Sequence, residues 1–358
     1  MRILHFLWSL NTGGAEYLAV DLANHQSRQH EVTLFVGNDS IDPVVRAQLD
    51  PAVRLIAMRR PEGSKNPYWI ARLVWTLYRL RPDVIHSHAR DLARLAKFIF
   101  RPMVLTVHDM HQDLSKVAEK YEQICCISEA VYADIHLRYP TLNPCRVDNG
   151  IDISKIAKAP SRNPPRQFRG VQVSRLLHEK KGQDLLIRAL AAVNANHASP
   201  VLILDFIGDG PSHHYLIELA EELGVNGQCN FLGACTREDI YKRLFSYDFL
   251  IQPSRYEGFG LTVSEGMAAG IPVLVSNIDG PMEIIGNGSY GYFFANDDVD
   301  SLVQSLLILM NEIENDETRG KVENAFEFVK ANYGLQRTSH EYCKIYETVF
   351  KTHCITNK

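Results

Sequence analysis

Short runs rich in β-branched and aromatic residues alternate with helical patterns along almost the whole of this chain, and the alternation starts twice. In the first half, strand-like runs fall at 3–8, 31–36, 84–86, 103–107 and 124–127. Helical periodicity lies between them, as at 15–26 and 68–79. Such alternation argues for parallel sheets covered by helices on both faces. The stretch "SKIAKAPSRNPPRQF", residues 154–168, is rich in proline and polar residues, carries no period and reads as a linker. Beyond it "RGVQVSRL", "VLILDFIGDG", "CNFLG", "FSYDFLIQPS" and "GIPVLVS" begin the pattern again. A chain of 358 residues is long for one core. The expectation is therefore α/β: two doubly wound Rossmann-like domains, 1–153 and 169–334, joined by the linker. A last helical pattern, 335–358, is expected to dock across the domain boundary. Ligands of such sheets sit at the carboxyl ends of the strands, which places the expected active site in a cleft between the domains.

Composition removes several classes. With a net charge of −4 the chain lacks the basic balance of a bulk nucleic-acid binder, so no nucleic-acid partner is expected. No apolar run reaches the length of about 18 residues that a membrane-spanning helix requires. The N-terminal "MRILHFLWSL" is followed by "NTGGAEYLAV", a poor cleavage site, and reads as a first strand. The seven cysteines form no C-x-x-C pair, which argues against a zinc or disulfide framework and for a reducing, cytoplasmic setting.

Several strand ends carry candidate chemistry. Gly13 and Gly14, in "SLNTGGAEYLAVDLA", form a strand-to-helix turn where a ligand can approach the backbone; a plain tight turn explains them equally well. "DVIHSHARDLA" puts His86 and His88 at one strand end, and "VLTVHDMHQDL" puts His108 at another, with His111 beyond it. The H-x-H spacing suits a metal, but no further ligands are evident; His108 stands out because a strand end faces the expected cleft. In "VSRLLHEKKGQDLLIRAL", Arg175 follows a strand, and Lys180, Lys181 and Gly182 precede a helix. A planar fork and a point charge beside a helix start suit a diphosphate, against the alternative of a solvated basic loop. Gly208 and Gly210 make another strand-end turn.

The densest cluster is "SRYEGFGLTVSEG". A strand leads to Glu257, then Gly258, Phe259 and Gly260, and a helix from Leu261 that contains Glu265. Free amides at that helix start would face an anion. Glu265, about one turn in, is badly placed for phosphate and well placed for the hydroxyls of a ribose. Glu257, on the loop, could meet a second polyol. Asp298 and Asp300 form an Asp-x-Asp pair of the kind that can hold a divalent metal, but they stand just before a long helical pattern and read as capping acids.

Taken in order, "TGGAE", "DVIHSH", "TVHD", Arg175 and Lys181 six apart, "IGDGP", and the E-x7-E of Glu257 and Glu265 resemble the retaining glycosyltransferases of family 4. The resemblance runs over nearly the whole chain. It implies the GT-B fold, two Rossmann-like domains facing a central cleft, with the final helix crossing back to the N-terminal domain. It implies a nucleotide-sugar donor, held mostly by the C-terminal domain, and a glycan or lipid-linked acceptor, with no cofactor and no metal. By position, Arg175 and Lys181 would stabilise the diphosphate and the departing charge, and Glu265 would bind the ribose. Glu257 and the backbone of Gly258, Phe259, Gly260 and Leu261 would hold the donor sugar and phosphates. His108 would lie beside the reacting sugar. Gly13, Gly14 and Gly208 would allow close approach, and Asn230 and Leu232 would lie near the base. A UDP-sugar and a cell-envelope glycan or glycolipid are the expected substrates. A phosphorylase or epimerase on the same scaffold, or a non-catalytic nucleotide binder, are the other readings.

Residues 59–101 hold ten Lys and Arg against three Asp and Glu, a local +7 in a chain of negative net charge. Tyr68, Trp69, Trp75, Tyr78, Phe98 and Phe100 are interleaved with them. A basic amphipathic helix with aromatics fits peripheral contact with an anionic membrane, here the inner face of the cell membrane; a helix packed on its own sheet is the plainer alternative.

Overall fold

The computed structural model describes residues 1–158, 167–195 and 201–356. It divides into two compact units, Met1–Ile151 with Leu335–Lys358, and Asp152–Gly334. Of the expected linker, residues 159–166 lie outside the described residues; Ile153–Lys155 form a 3₁₀ turn.

The first unit is built on seven strands: β1 (Arg2–Leu7), β2 (Glu31–Asn38), β3 (Arg54–Arg60), β4 (Val84–Ser87), β5 (Met103–Val107), β6 (Gln123–Cys126) and β7 (Cys145–Arg146). All described pairs are parallel, in the order β3-β2-β1-β4-β5-β6-β7. The helices are α1 (Gly14–Gln26), α2 (Pro43–Ala47), α3 (Pro67–Leu80) and α4 (Glu129–Arg138). β1 and β2 are buried except at their first residue, as strands covered on both faces must be. α3 starts where Asn66 accepts a hydrogen bond from the Tyr68 amide at 3.0 Å with Pro67 in the first turn; α4 starts at Ser128, which accepts from Val131 at 3.2 Å.

The second unit repeats the plan. Its strands are β8 (Phe168–Val173), β9 (Leu202–Ile207), β10 (Cys229–Phe231), β11 (Phe249–Gln252), β12 (Val273–Ser276) and β13 (Tyr292–Phe294), in the order β10-β9-β8-β11-β12-β13. Its helices are α5 (His178–Lys181), α6 (Gln183–Asn194), α7 (His213–Glu222), α8 (Arg237–Arg243), α9 (Leu261–Ala268), α10 (Asp279–Ile284), α11 (Val299–Glu314) and α12 (Arg319–Asn332). In each sheet the strand order reverses direction once, between β1 and β4 and between β8 and β11. The crevice at the carboxyl ends of those two strands is where this architecture binds ligands.

The last helix, α13 (Leu335–Thr356), belongs to the first unit, where it packs on α1 and β4. Tyr342 and Tyr346 are fully buried there. The Leu335 amide donates to the Ile151 carbonyl at 2.9 Å, and Thr338 Oγ1 donates to the Asp148 carbonyl at 2.9 Å. Gly150 is shaped by this docking: a Cβ there would lie 2.4 Å from Thr338 Oγ1 and 2.8 Å from Leu335 Cα.

Candidate active site

At the switch point of the second sheet, β8 and β11 deliver the groups that the sequence singles out. Arg175, two residues past β8, is exposed and has no ion-pair partner among the described residues. Lys181, the last residue of α5, is ion-paired with Glu257, and both side chains are 17% exposed. Glu257 Oε2 also accepts from Ser254 Oγ at 3.3 Å, and Ser254 Oγ accepts from Gln252 Nε2 at 2.8 Å. Gly182 then presses on the β11 exit. It has φ +65°, and a Cβ would lie 1.9 Å from the Pro253 carbonyl oxygen.

Arg255, two residues before Glu257, ties these loops together and was not singled out from sequence. Its guanidinium donates both arms to Asp184 at 2.9 Å, and Nε donates to Asp297 at 2.8 Å. Nη1 reaches the His178 carbonyl at 2.6 Å, and the Arg255 amide donates to the Lys180 carbonyl at 2.8 Å. The hydrogen bond to Asp184 is the largest cause of an upward shift of its pKa. The loop bearing Glu257 and the short helix bearing Lys181 are thus stapled by one residue.

Gly258, Phe259 and Gly260 lead into α9. The Phe259 side chain is core, edge-on to Tyr333 with ring centroids 5.4 Å apart, so it offers no side chain to a ligand. Gly260 has φ +113°, a region closed to most side chains. Gly280, also unforeseen, sits beneath this loop: a Cβ there would come within 2.8 Å of the Glu257 and Phe259 carbonyl oxygens. Leu261 opens α9; the Val263 amide donates to the Gly260 carbonyl at 2.9 Å, which leaves the Leu261 and Thr262 amides as the free donors of the helix start. Glu265 is buried in that helix. Its Oε1 accepts from Tyr241 Oη at 2.8 Å and lies 3.6 Å from Arg237 Nη2. Tyr241 and Arg237 come from α8, and nothing in their spacing marks them.

The remaining expected positions divide. Gly208 has φ +141°, and a Cβ there would lie 1.9 Å from the Ser174 carbonyl oxygen; its lack of a side chain serves the closeness of two strand-end loops. Asn230 Nδ2 donates to Asp205 Oδ1 at 2.8 Å, and the fully buried Asp205 also accepts from Arg169 at 2.6 Å and Tyr247 at 2.8 Å. Its side chain is thus committed to a protein network. Leu232, just past β10, is 37% exposed. Asp298 accepts from the Ser301 amide at 2.9 Å and caps α11.

In the first unit, Gly13 is the N-cap of α1 and Gly14 its first residue. Glu16 folds back over them: a Cβ on Gly13 would lie 2.5 Å from its Oε2. Burial raises the Glu16 pKa. His111 is exposed, with Nδ1 3.3 Å from Asp134.

Four other histidines meet at the switch point. His5 and His86 are register partners on β1 and β4, His88 follows β4, and His108 follows β5. Ligand atoms of His5, His86 and His88 lie within 4.8 Å of one another, the arrangement that the H-x-H spacing hints at for a metal. Every ring nitrogen of the three, however, already has a protein partner. His5 Nε2 faces Gln26 Oε1 at 2.8 Å, and His5 Nδ1 faces His88 Nε2 at 3.1 Å. His88 Nδ1 faces His108 Nε2 at 3.0 Å. His86 lies between Thr106 Oγ1, 2.6 Å from Nε2, and Tyr346 Oη at Nδ1. Burial lowers all four pKa values, His5 and His108 to about 4, so the rings are neutral at pH 7.

Both halves of the chain match glycosyltransferase family models: residues 12–155 match Glycosyltransferase Family 4 and residues 154–325 match Glycosyl transferases group 1. This chain is a family-4 glycosyltransferase. It is 29% identical over 255 residues to glycogen synthase of Mycobacterium tuberculosis, an alignment covering 65% of this chain and 61% of that one. The glycosyltransferase thus spans about three fifths of that relative's length. It is 24% identical over 332 residues to UDP-Gal:alpha-D-GlcNAc-diphosphoundecaprenol alpha-1,3-galactosyltransferase of Escherichia coli, covering 82% of this chain and 83% of that one. Among solved structures, Anabaena HepE in complex with UDP and glucose superposes with a TM-score of 0.81 at 22% identity, covering 97% of this chain and 100% of that one. That likeness shows the GT-B fold of the present glycosyltransferase.

Proposed function

We propose that this glycosyltransferase moves a sugar, with retention and without a metal, from a UDP-sugar to a cell-envelope glycan or lipid-linked acceptor. The observation that carries the proposal is the convergence of Arg175, Lys181, the amide start of α9 and the buried Glu265 around one switch point. Cleaving the bond between the anomeric carbon and the diphosphate oxygen leaves positive charge on the sugar and negative charge on the diphosphate. Arg175, Lys181 and the α9 amides offset the negative charge in a site already set up for it, a task that other enzymes give to a metal. Glu265 accepts from the ribose hydroxyls and Glu257 from the sugar. The acceptor hydroxyl bonds to the anomeric carbon on the leaving-group face and passes its proton to the leaving diphosphate. The named activity of the E. coli relative and the UDP and glucose bound to HepE support the choice of donor.

The test is a thermal-shift screen of UDP-, GDP- and ADP-sugars, followed by detection of UDP release on adding acceptor, with and without EDTA. A UDP-sugar raises the melting temperature by mass action. Release of UDP that depends on acceptor and survives EDTA fits the proposal; free-sugar interconversion fits an epimerase instead.

We further propose that α3 is the membrane-facing element. It buries Leu73 and Leu77, while Tyr68, Trp75 and Tyr78 are exposed, and Arg79 stacks on Trp75 at 4.9 Å. Beneath it lies a cavity of about 340 Å³ whose lining includes Arg2, Arg54, Arg79, Ile56 and Trp75, with Glu31 as its acid. No described helix is long and apolar enough to cross a membrane, so contact would be peripheral. Flotation with anionic vesicles at low salt, lost in Trp75→Ala/Arg79→Ala, is the expected result; protein remaining at the bottom of the gradient refutes it.

A further inference from the structure

We propose that His88, His5 and Gln26 are positioning residues that fix the tautomer of His108, leaving its Nδ1 a bare acceptor for a substrate hydroxyl. The proposal rests on the substrate-facing role of His108 in the function proposed above. Its geometry stands without that role.

A neutral imidazole has one N–H and one lone pair, so a chain of neutral rings has a direction. Gln26 presents its carbonyl oxygen to His5 Nε2 at 2.8 Å, which makes Nε2 the donor and Nδ1 the acceptor. His5 Nδ1 is 3.1 Å from His88 Nε2, so His88 must donate there and accept at its own Nδ1. His88 Nδ1 is 3.0 Å from His108 Nε2, so His108 donates in turn. Three rings in series thus carry the orientation of one amide on α1 to the end of β5, and His108 is left with a lone pair on Nδ1. Among the described residues that nitrogen has no hydrogen-bond partner. The rings are held rather than merely near: His5 and His88 stack at 5.4 Å, and His88 and His108 at 5.2 Å.

His86 completes the packing without joining the chain. It lies 5.0 Å from His5 and 4.2 Å from His88, centroid to centroid, while both its nitrogens are spent on Tyr346 and Thr106. Thr106 is in turn 2.8 Å from Tyr342 Oη. Tyr342 and Tyr346 lie on α13, so the C-terminal helix walls this cluster from behind. Within the cluster, all the histidine nitrogens except His108 Nδ1 are paired, while the buried Nε2 of Gln26 has no hydrogen-bond partner among the described residues; it is the Gln26 oxygen alone that sets the direction of the chain. Turning the Gln26 amide over would reverse every ring and convert His108 Nδ1 from acceptor to donor.

The test is long-range ¹H–¹⁵N correlation spectroscopy of the full chain with ¹⁵N-labelled histidine, at neutral pH without substrate. His5, His88 and His108 should all appear as Nε2–H tautomers. Gln26→Met, which removes the anchoring oxygen, should give mixed tautomers at His108, and Gln26→Glu, which can only accept, should restore the single form. An Nδ1–H tautomer at His108 in the wild type would overturn the proposal. So would a His108 signal unchanged in Gln26→Met, or zinc binding that shifts the His5 and His88 nitrogens together. If Gln26→Met fails to fold, His88→Asn, which breaks the chain one ring later, should give the same mixture. In the transfer assay a folded Gln26→Met should lower kcat about tenfold with KM for the donor little changed. The expected tautomers with no transfer activity in the wild type would leave the relay standing and sink the functional reading instead.

Discussion

Lys181 and Glu257, 76 residues apart in the chain, form an ion pair at the switch point of the second sheet. The pair ties the cation assigned to the leaving diphosphate to the acid assigned to the sugar. Glu257 therefore competes with a diphosphate for Lys181. Glu257→Ala should tighten UDP binding about three- to tenfold, the scale of one partly exposed ion pair, while kcat for transfer falls at least about 100-fold. Calorimetry with UDP and initial rates measure the two effects, and weaker UDP binding in this variant would contradict the competition.

Lys181→Ala is expected to do the opposite to the ligand. UDP binding weakens and kcat falls about 10²- to 10³-fold, the usual cost of one charge-stabilising donor. The melting temperature should move little, because the lost partner leaves Glu257 still bonded to Ser254. A variant with wild-type kcat would remove the lysine from the mechanism.

Arg255→Lys tests the staple. Lysine cannot reproduce the two-armed contact with Asp184 together with the bond to Asp297. A loss of about 2 kcal/mol in urea unfolding is expected, the scale of hydrogen bonds to charged groups, with a rise in donor KM. Unchanged stability and unchanged KM would mean that the loops hold themselves.

These residues also show what a sequence can and cannot convey. The doubled strand–helix alternation and the strand-end positions of Arg175, His108 and Glu257 follow from periodicity and turn chemistry, which are local. β3 escaped, because "RLIAMRR" on a sheet edge carries three arginines and reads as a polar segment. Tyr241 and Arg237 escaped for another reason. They reach Glu265 from a different helix, 24 and 28 positions upstream, and no period encodes such a meeting. Gly208 and Gly182 were visible as special backbone. Only three dimensions reveal that the atoms they make room for are the Ser174 and Pro253 carbonyls of the protein itself. The pairing of His5 with His88 needs the strand order, in which β1 and β4 are neighbours although about eighty residues lie between them.

Stability should fall on mild acidification. The four histidines, His5 and His86 buried and His88 and His108 half-buried, have folded pKa values below that of a free imidazole, two of them near 4. Between about pH 6.5 and 4 the unfolded chain binds protons that the folded chain refuses, so stability present above pH 6.5 is progressively lost as pH falls through that window. His5, fully buried, contributes on the order of 3 kcal/mol to the change. Urea unfolding at pH 7, 6 and 5 should show the decline, and His5→Gln should flatten it.

The most direct test of the account is the melting temperature of the wild type and of Arg175→Ala as UDP is titrated in. Wild-type protein should be stabilised progressively as UDP is added, and Arg175→Ala, with unchanged melting in the absence of ligand, should lose most of that response. A wild type indifferent to UDP, or a variant that responds to it as fully as the wild type, would contradict the assignment of this switch point to a nucleotide diphosphate.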